Sequence, residues 1–233
     1  MHDGNNDDTG QYASPPCFMH ELQDGYRTGA SDAQARADVI RWRKSERQRL
    51  IDARLAVPAE KRQRMAQKIA QGLDAAIGDV AGRLVSLYWP FRGEPDLRPW
   101  ADEIIAHGGL VALPVVVEKG HPLIFRGWRP GETLEKGVWN IPIPAGGPDV
   151  QPDVVIAPVV GFDPRNYRLG YGGGFFDRTL AAMSTRPLVV GIGYAMSAIP
   201  TIYPQPHDIA MDMIITDEDG CADIGSDRGR RCS

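Results

Sequence analysis

Cysteine is scarce in this chain of 233 residues: the three present, Cys17, Cys221 and Cys232, are odd in number and far apart. Such spacing fits neither a disulfide framework nor a zinc-binding pattern, so reduced thiols are expected. Long apolar runs are missing as well. VALPVVV and DVVIAPVVGF fall far short of the ~20 residues that span a bilayer, and the N-terminal MHDGNNDD carries neither a basic region nor an apolar core. No membrane association is expected, and the location is read as cytoplasmic. A surplus of positive charge is also lacking. The formal net charge of −4 gives no general preference for nucleic acid, so any anion binding must be local. No Ser/His/Asp or Cys/His pattern for nucleophilic catalysis stands out, and there is no internal repeat.

What is present alternates in type. Residues 1–31, rich in Gly, Asn, Asp and Ser, read as a poorly ordered extension with one apolar patch, PPCFMHEL; residues 219–233 read as a frayed polar tail. Between them, 32–218 reads as one α/β domain. A basic helix is expected over roughly 32–55. After Pro58 a second helix follows, its Met65, Ile69, Leu73 and Ile77 recurring at helical spacing. LVSLYWP (84–90) predicts a strand, DLRPWADEIIAHG a helix with Leu97, Trp100 and Ile104 on one face, and LVALPVVV (110–117) a buried strand. LIFRGW predicts an antiparallel strand after the EKGHP turn. DVVIAPVV, LVVGIGYA (188–195) and MDMIITDE (211–218) predict three more. Continuous β-branched runs separated by helices imply a three-layer sandwich around a mainly parallel sheet.

Three clusters carry chemistry. In RLGYGGGFFDRTL (168–180), Gly170, Gly172, Gly173 and Gly174 stand between a predicted strand and a predicted helix, an arrangement that aims backbone N–H groups at an anion, most often phosphate. Arg168 adds a guanidinium suited to phosphate oxygens, and Asp177 in the first helical turn is a candidate Mg²⁺ carboxylate. The alternative is a plain tight turn, with Asp177 only complementing the helix dipole. On the basic helix, Arg43 and Arg47 are four apart and share a face, with Lys44 beside them; an anion between them is weighed against a solvated basic face. Trp89 and Phe91 follow a strand, where open α/β sheets bind ligands, with Glu94 just beyond. Flat aromatics and one carboxylate suit a planar heterocycle bearing N–H donors, and Trp139 in VWNIPIP offers a second stacking face. The alternative is that these tryptophans are core or rim residues.

Five passages in order, WRKSERQRL, YWPFRGEPDLRP, VWNIPIP, GFDPRNYRLGYGGGFFDRTL and HDIAMDMIIT, resemble the 5-formyltetrahydrofolate cyclo-ligases, also called 5,10-methenyltetrahydrofolate synthetases, from about residue 40 to 218. The resemblance implies an α/β fold of the kind shared with the ribose-5-phosphate isomerase and CoA-transferase group. It implies the reaction of ATP, with Mg²⁺, and 5-formyltetrahydrofolate to 5,10-methenyltetrahydrofolate, ADP and phosphate through a phosphorylated formyl group. By resemblance, Arg43, Lys44 and Arg47 take nucleotide-contacting positions. Arg168, Leu169, Gly170, Tyr171, Gly172, Gly173, Gly174, Phe175 and Phe176 form the ATP loop. Trp89, Glu94 and Trp139 match folate-contacting positions, and Asp177 and Asp212 match metal-associated carboxylates, with Arg168 and Asp177 as the catalytic pair. The implied partner is the folate, with or without a polyglutamate tail, on a monomer or small homo-oligomer.

The chain departs from the family pattern at Gly173, where many relatives carry Lys or Arg, and at Phe175 and Phe176, where many carry Tyr. These changes remove a cation and two hydroxyls from the loop, and Tyr167 and Tyr171 are the nearest substitutes in sequence. They support the competing reading, a non-catalytic folate or nucleotide binder of the same fold; a kinase or ligase for another heterocycle is a further alternative. Cys17, His20 and Glu21 lie outside the shared region and receive no role.

Overall fold

The computed structural model describes residues 29–218 and 222–223. In chain order the elements are α1 (Gly29–Ala56), α2 (Ala59–Ile77), β1 (Leu84–Ser86), α3 (Arg98–Ala106), β2 (Leu110–Val115), β3 (Ile124–Gly127), β4 (Leu134–Lys136), β5 (Pro142–Pro144), β6 (Asp149–Val150), β7 (Val154–Pro158), β8 (Gly161–Phe162), β9 (Arg168–Leu169), α4 (Phe175–Ala182), β10 (Leu188–Ile192), β11 (Met213–Ile215) and β12 (Ala222–Asp223). The patch PPCFMHEL, with Cys17, His20 and Glu21, lies outside the described residues. So does the tail from 219 onward, apart from β12, which pairs antiparallel with β11.

Eight strands form one sheet in the order β12-β11-β10-β7-β1-β2-β3-β6. Its middle, from β11 to β2, is parallel. The turn after β2 returns β3 antiparallel, as the EKGHP punctuation predicts. Alternation along the central strands explains why their sequences are continuously apolar. Val154 and Ile156 of β7, with Val190 and Ile192 of β10, pack against α2 and α3 through Ile69, Leu73, Trp100 and Ile104. Their neighbours Val155, Ala157 and Val189 face the other way, where Phe176 and Leu180 of α4 cover them. Both faces are therefore buried, the condition under which parallel strands lose their polar alternation. Each fully buried Val, Ile or Leu contributes about 1.5 to 3 kcal/mol relative to exposure, and Ile69, Leu73, Val154, Ile156 and Val190 are all fully buried.

The strands are shorter than their apolar runs. LVSLYWP pairs only through Ser86, and LVVGIGYA only through Ile192. Beyond those points the chain leaves the sheet and turns over its carboxyl edge. Helix α1 docks at that edge through a separate core, in which Leu50 and Ile51 meet Leu169, Ile199 and Ile202. At β1 the order of connection reverses: β2 lies on one side and β7 on the other. Such a switch point leaves a crevice outside the carboxyl ends of the strands. Among the described residues no helix is long and apolar enough to cross a membrane.

Candidate active site

A cleft of about 990 Å³ opens at that crevice, walled by α1, the loop after β1, the ends of β2 and β7, the glycine loop before α4 and the segment 205–208. Its lining falls into two chemically different halves.

The first half is cationic. Arg43 is buried on the inner face of α1, where Nε donates to the Ile202 carbonyl (2.9 Å), Nη2 to the Tyr203 carbonyl (2.9 Å), and the guanidinium forks onto Asp208. Arg47, one turn on, donates from Nε to the Gly170 carbonyl at 2.6 Å. Burial, and secondarily the neighbouring Arg43, pulls the Arg47 guanidinium below its ordinary pKa. Asp208 already pairs with Arg43, whereas Arg47 makes no ion pair with a described residue, so Arg47 is the cation left for an anion in the cleft. Arg168 is buried beneath the loop. Its Nη2 donates to Asp177 Oδ2 (3.0 Å), its guanidinium lies over the Phe176 ring (4.9 Å), and its Nε has no partner among the described residues. Gly172 and Gly174 adopt φ of 91° and 64°, values that an L side chain resists. At Gly172 a β-carbon would also lie 3.3 Å from Arg47 Cζ. None of the backbone N–H groups of residues 170–174 donates to another described residue. Unused amides, paired cations and a helix start converge on one wall, as an oligophosphate site requires.

The second half is aromatic. Trp89 is half-buried, edge-on to Trp128 at 6.0 Å and stacked beneath Arg98 at 4.9 Å. Glu94 is buried at the turn beyond. Its Oε2 accepts the Phe91 N–H (2.8 Å), while Oε1 is buried with no hydrogen-bond partner of normal geometry among the described residues, the Tyr171 hydroxyl standing nearby. Burial pushes the Glu94 carboxyl up to about 7; Arg54, the Phe91 amide and Tyr171 work against that rise. An acceptor without a partner in an aromatic pocket is a place for an N–H donor from a ligand. Trp139 is 56 % exposed and sits at positive φ (56°), as does Asn140 after it (57°). It meets Phe175 edge-on at 6.0 Å, so it stands beside the glycine loop.

The structure places several sequence-predicted residues away from the cleft or against other partners. Lys44 is exposed and does not line the cleft, because one residue along α1 turns the side chain about 100° away from the Arg43 face. Asp212 does not line it either. It stands just before β11, where its carboxylate accepts from Arg186 Nη2 (2.8 Å) and the Val189 amide (2.7 Å), at the amino ends of β10 and β11. Asp208 occupies the cleft wall instead. It lies next to Ile209, whose amide donates to Asp177 Oδ1 (3.2 Å), so the two carboxylates that share this wall are Asp177 and Asp208. Asp177 stands in the first turn of α4, as expected, and both of its oxygens accept, from Arg168 and from the Ile209 amide. Tyr171 does not replace the missing loop cation, since its hydroxyl contacts Arg54 and the Phe91 carbonyl. Arg178 folds back to the Gly173 carbonyl and over Phe175 instead. Arg54, buried beside this half, was not singled out by the sequence, although it continues the Arg43 and Arg47 stripe at helical spacing.

Among the described residues no cluster of three or more His, Cys, Asp or Glu forms a self-sufficient metal cage. Mg²⁺ takes one or two carboxylates together with substrate phosphates and water; the carboxylates on this wall are Asp177 and Asp208, each bonded to an arginine and a backbone amide.

Comparison with known proteins gives one result throughout. The model of the 5-formyltetrahydrofolate cyclo-ligase family matches residues 39–217. A 5-formyltetrahydrofolate cyclo-ligase of Escherichia coli K12 is 31 % identical over 176 residues, 70 % of this chain and 93 % of that protein. One of Mycolicibacterium smegmatis is 29 % identical over 179 residues, 73 % of this chain and 91 % of its own. Among solved structures, the 5,10-methenyltetrahydrofolate synthetase of Aquifex aeolicus superposes with a TM-score of 0.68 at 26 % identity, covering 82 % of this chain and 96 % of that one.

Proposed function

The chain belongs to the 5-formyltetrahydrofolate cyclo-ligase family, and from that premise we propose that it converts 5-formyltetrahydrofolate to 5,10-methenyltetrahydrofolate at the expense of ATP, using the two halves of this cleft. The observation that carries the reading is their union in one cavity: a cationic, amide-lined wall continuous with an aromatic pocket holding the unpartnered Glu94 oxygen.

A formamide oxygen is a poor leaving group, so the ring cannot close until that oxygen is activated. The formyl oxygen attacks the γ-phosphorus of ATP and ADP departs, leaving an imidate phosphate on N5. N10 then adds to the formyl carbon and gives up its proton, and phosphate leaves with the original formyl oxygen, giving the methenyl bridge. Such chemistry needs positioning and charge neutralisation more than a protein nucleophile. Arg43 and Arg47 with the amides of 170–174 are assigned to the phosphates. Arg168, held by Asp177, supplies a buried positive charge beneath the transferring group. Trp89 is assigned to the face of the pterin, and Glu94 Oε1 to its ring N–H donors. Asp177 and Asp208 are the residues assigned to Mg²⁺, which when bound offsets phosphate charge.

The test is a turnover assay with the full chain, following methenyltetrahydrofolate absorbance and ADP together. Equal formation of both, dependent on ATP, Mg²⁺ and 5-formyltetrahydrofolate, is expected. Binding of both ligands without turnover would favour the non-catalytic reading.

A further inference from the structure

Arg54 is 2 % exposed, yet among the described residues it forms no ion pair and does not line the cleft. A buried guanidinium is costly, and its five N–H donors must be satisfied. Each of its three nitrogens makes one hydrogen bond, and the three go to separate parts of the site. Nε donates to the Arg92 carbonyl at 3.0 Å, within the turn that carries Glu94. Nη2 donates to the Tyr171 hydroxyl at 2.6 Å, within the glycine loop. Nη1 reaches the Val159 carbonyl, just past β7, at 3.5 Å. The hydroxyl of Tyr171 in turn contacts the Phe91 carbonyl (3.3 Å), and the two rings pack at 5.7 Å. The stem of Arg54 is equally engaged: a β-carbon on Gly93, whose φ is 77°, would lie 3.7 Å from Arg54 Cγ. Thus one side chain from the last turn of α1 spans the seam between the aromatic and the cationic halves.

We propose that Arg54 is a positioning residue for this reaction, which holds the Glu94 turn and the Tyr171 side of the glycine loop in register and supplies the positive charge beside Glu94. The inference rests on the assignment of Glu94 to the folate and of the loop to ATP. The groups facing Glu94 from the elements around it are Arg54 of α1, Tyr171 of the loop, Tyr88 of its own segment and Tyr194 after β10; Asp96 acts on Tyr88, and Arg62 and Asp217 on Tyr194. Arg54 is the cation that opposes the burial of the carboxyl. Tyr88 and Tyr194 donate to the Pro95 and Gly93 carbonyls and fix the turn without adding charge.

The experiment measures 5-formyltetrahydrofolate binding by tryptophan quenching from about pH 6 to about pH 9, and ATP binding separately, for wild type, Arg54→Met, Arg54→Lys, Tyr171→Phe and Glu94→Gln. Removing an opposite charge close to a buried carboxyl raises its pKa by about 1 to 3. In Arg54→Met the pH below which folate binding is lost therefore moves up by about one pH unit or more, and folate Kd at about pH 7 rises roughly tenfold. ATP Kd rises in the same variant although Arg54 touches neither ligand. Arg54→Lys restores the pH midpoint but not ATP Kd, because one ammonium cannot hold three partners. Tyr171→Phe raises ATP Kd with the cation intact. A purely structural Arg54 would lower Tm and leave the pH midpoint and both Kd values of folded variants unmoved, which would overturn the proposal. If Arg54→Met does not fold, Arg54→Lys and Tyr171→Phe decide it: wild-type ATP Kd in both overturns it. Glu94→Gln separates the two levels. A folate profile unchanged in that variant removes Glu94 from the folate site and the proposal with it; a profile flattened there but unmoved in Arg54→Met sinks the Arg54 role alone.

Discussion

Replacing Glu94 by Gln is expected to stabilise the protein while weakening folate binding. Burial raises this carboxyl from 4.5 to about 7, which at about 1.4 kcal/mol per pH unit corresponds to about 3 kcal/mol. The sign follows from proton counting. Between pH 4.5 and about 7 the folded chain holds a proton on Glu94 that the unfolded chain has lost, so stability falls as pH rises through this window. Below it the penalty is absent; above it the full penalty persists. Glutamine keeps the shape, and its amide oxygen still accepts from the Phe91 N–H. It carries no charge to desolvate. Urea unfolding of both proteins at a series of pH values should give curves that coincide near pH 4 and diverge by about 2 to 4 kcal/mol by pH 8, with the variant higher. Folate affinity of the variant should fall by roughly ten-fold at pH 8, as a charge-assisted acceptor is lost. Parallel stability curves across the window would refute the reasoning, because the buried charge would then carry no cost to be kept for a ligand.

Gly172→Val places a branched side chain at φ of 91° and against Arg47; ATP Kd measured by calorimetry should rise at least about tenfold with folate binding retained. Asp177→Asn weakens the buried pair with Arg168, whose side chains are 13 % and 6 % exposed, so chemical unfolding should show a loss of about 2 to 4 kcal/mol, beyond the ~1 kcal/mol of a helix-dipole residue. Asp208→Asn should raise the Mg²⁺ needed for half-maximal rate. Asp212→Asn should leave that requirement unchanged and lower stability by about 1 kcal/mol through its Arg186 and Val189 contacts; the reverse pattern would return the metal to Asp212.

The layers were legible because periodicity reports burial directly. Met65, Ile69, Leu73 and Ile77 repeat at helical spacing and are buried along one face of α2, while the continuous runs around Val154 and Val189 reflect cover on both sheet faces. Strand order is not encoded locally, so the site's position at the β1 switch point emerges only from the pairing. The same limit explains Asp212. HDIAMDMIIT offers two aspartates four residues apart, and only the register of β11 against β10, Met213 opposite Val190, shows that Asp212 belongs to the far end of the sheet. Arg54 escaped attention for another reason. A basic residue in a last helical turn reads as a complement to the helix dipole, and nothing nearby in sequence reveals that Arg92 and Tyr171 come to meet it. Arg43 and Lys44 differ by one residue and end on different faces of α1, a distinction the helix geometry supplies once its docked side is known.

The central claim, that ATP activates the formyl oxygen within this cleft, is tested most directly by following that oxygen. With 5-formyltetrahydrofolate labelled by ¹⁸O in the formyl group, phosphoryl transfer to that oxygen places the label in the inorganic phosphate, one atom per turnover, as mass spectrometry of the phosphate would show. Label appearing in water, with unlabelled phosphate, would mean that ATP is cleaved by water and the ring closes by another route, and the assignment of the cationic wall to phosphoryl transfer onto the folate would be wrong.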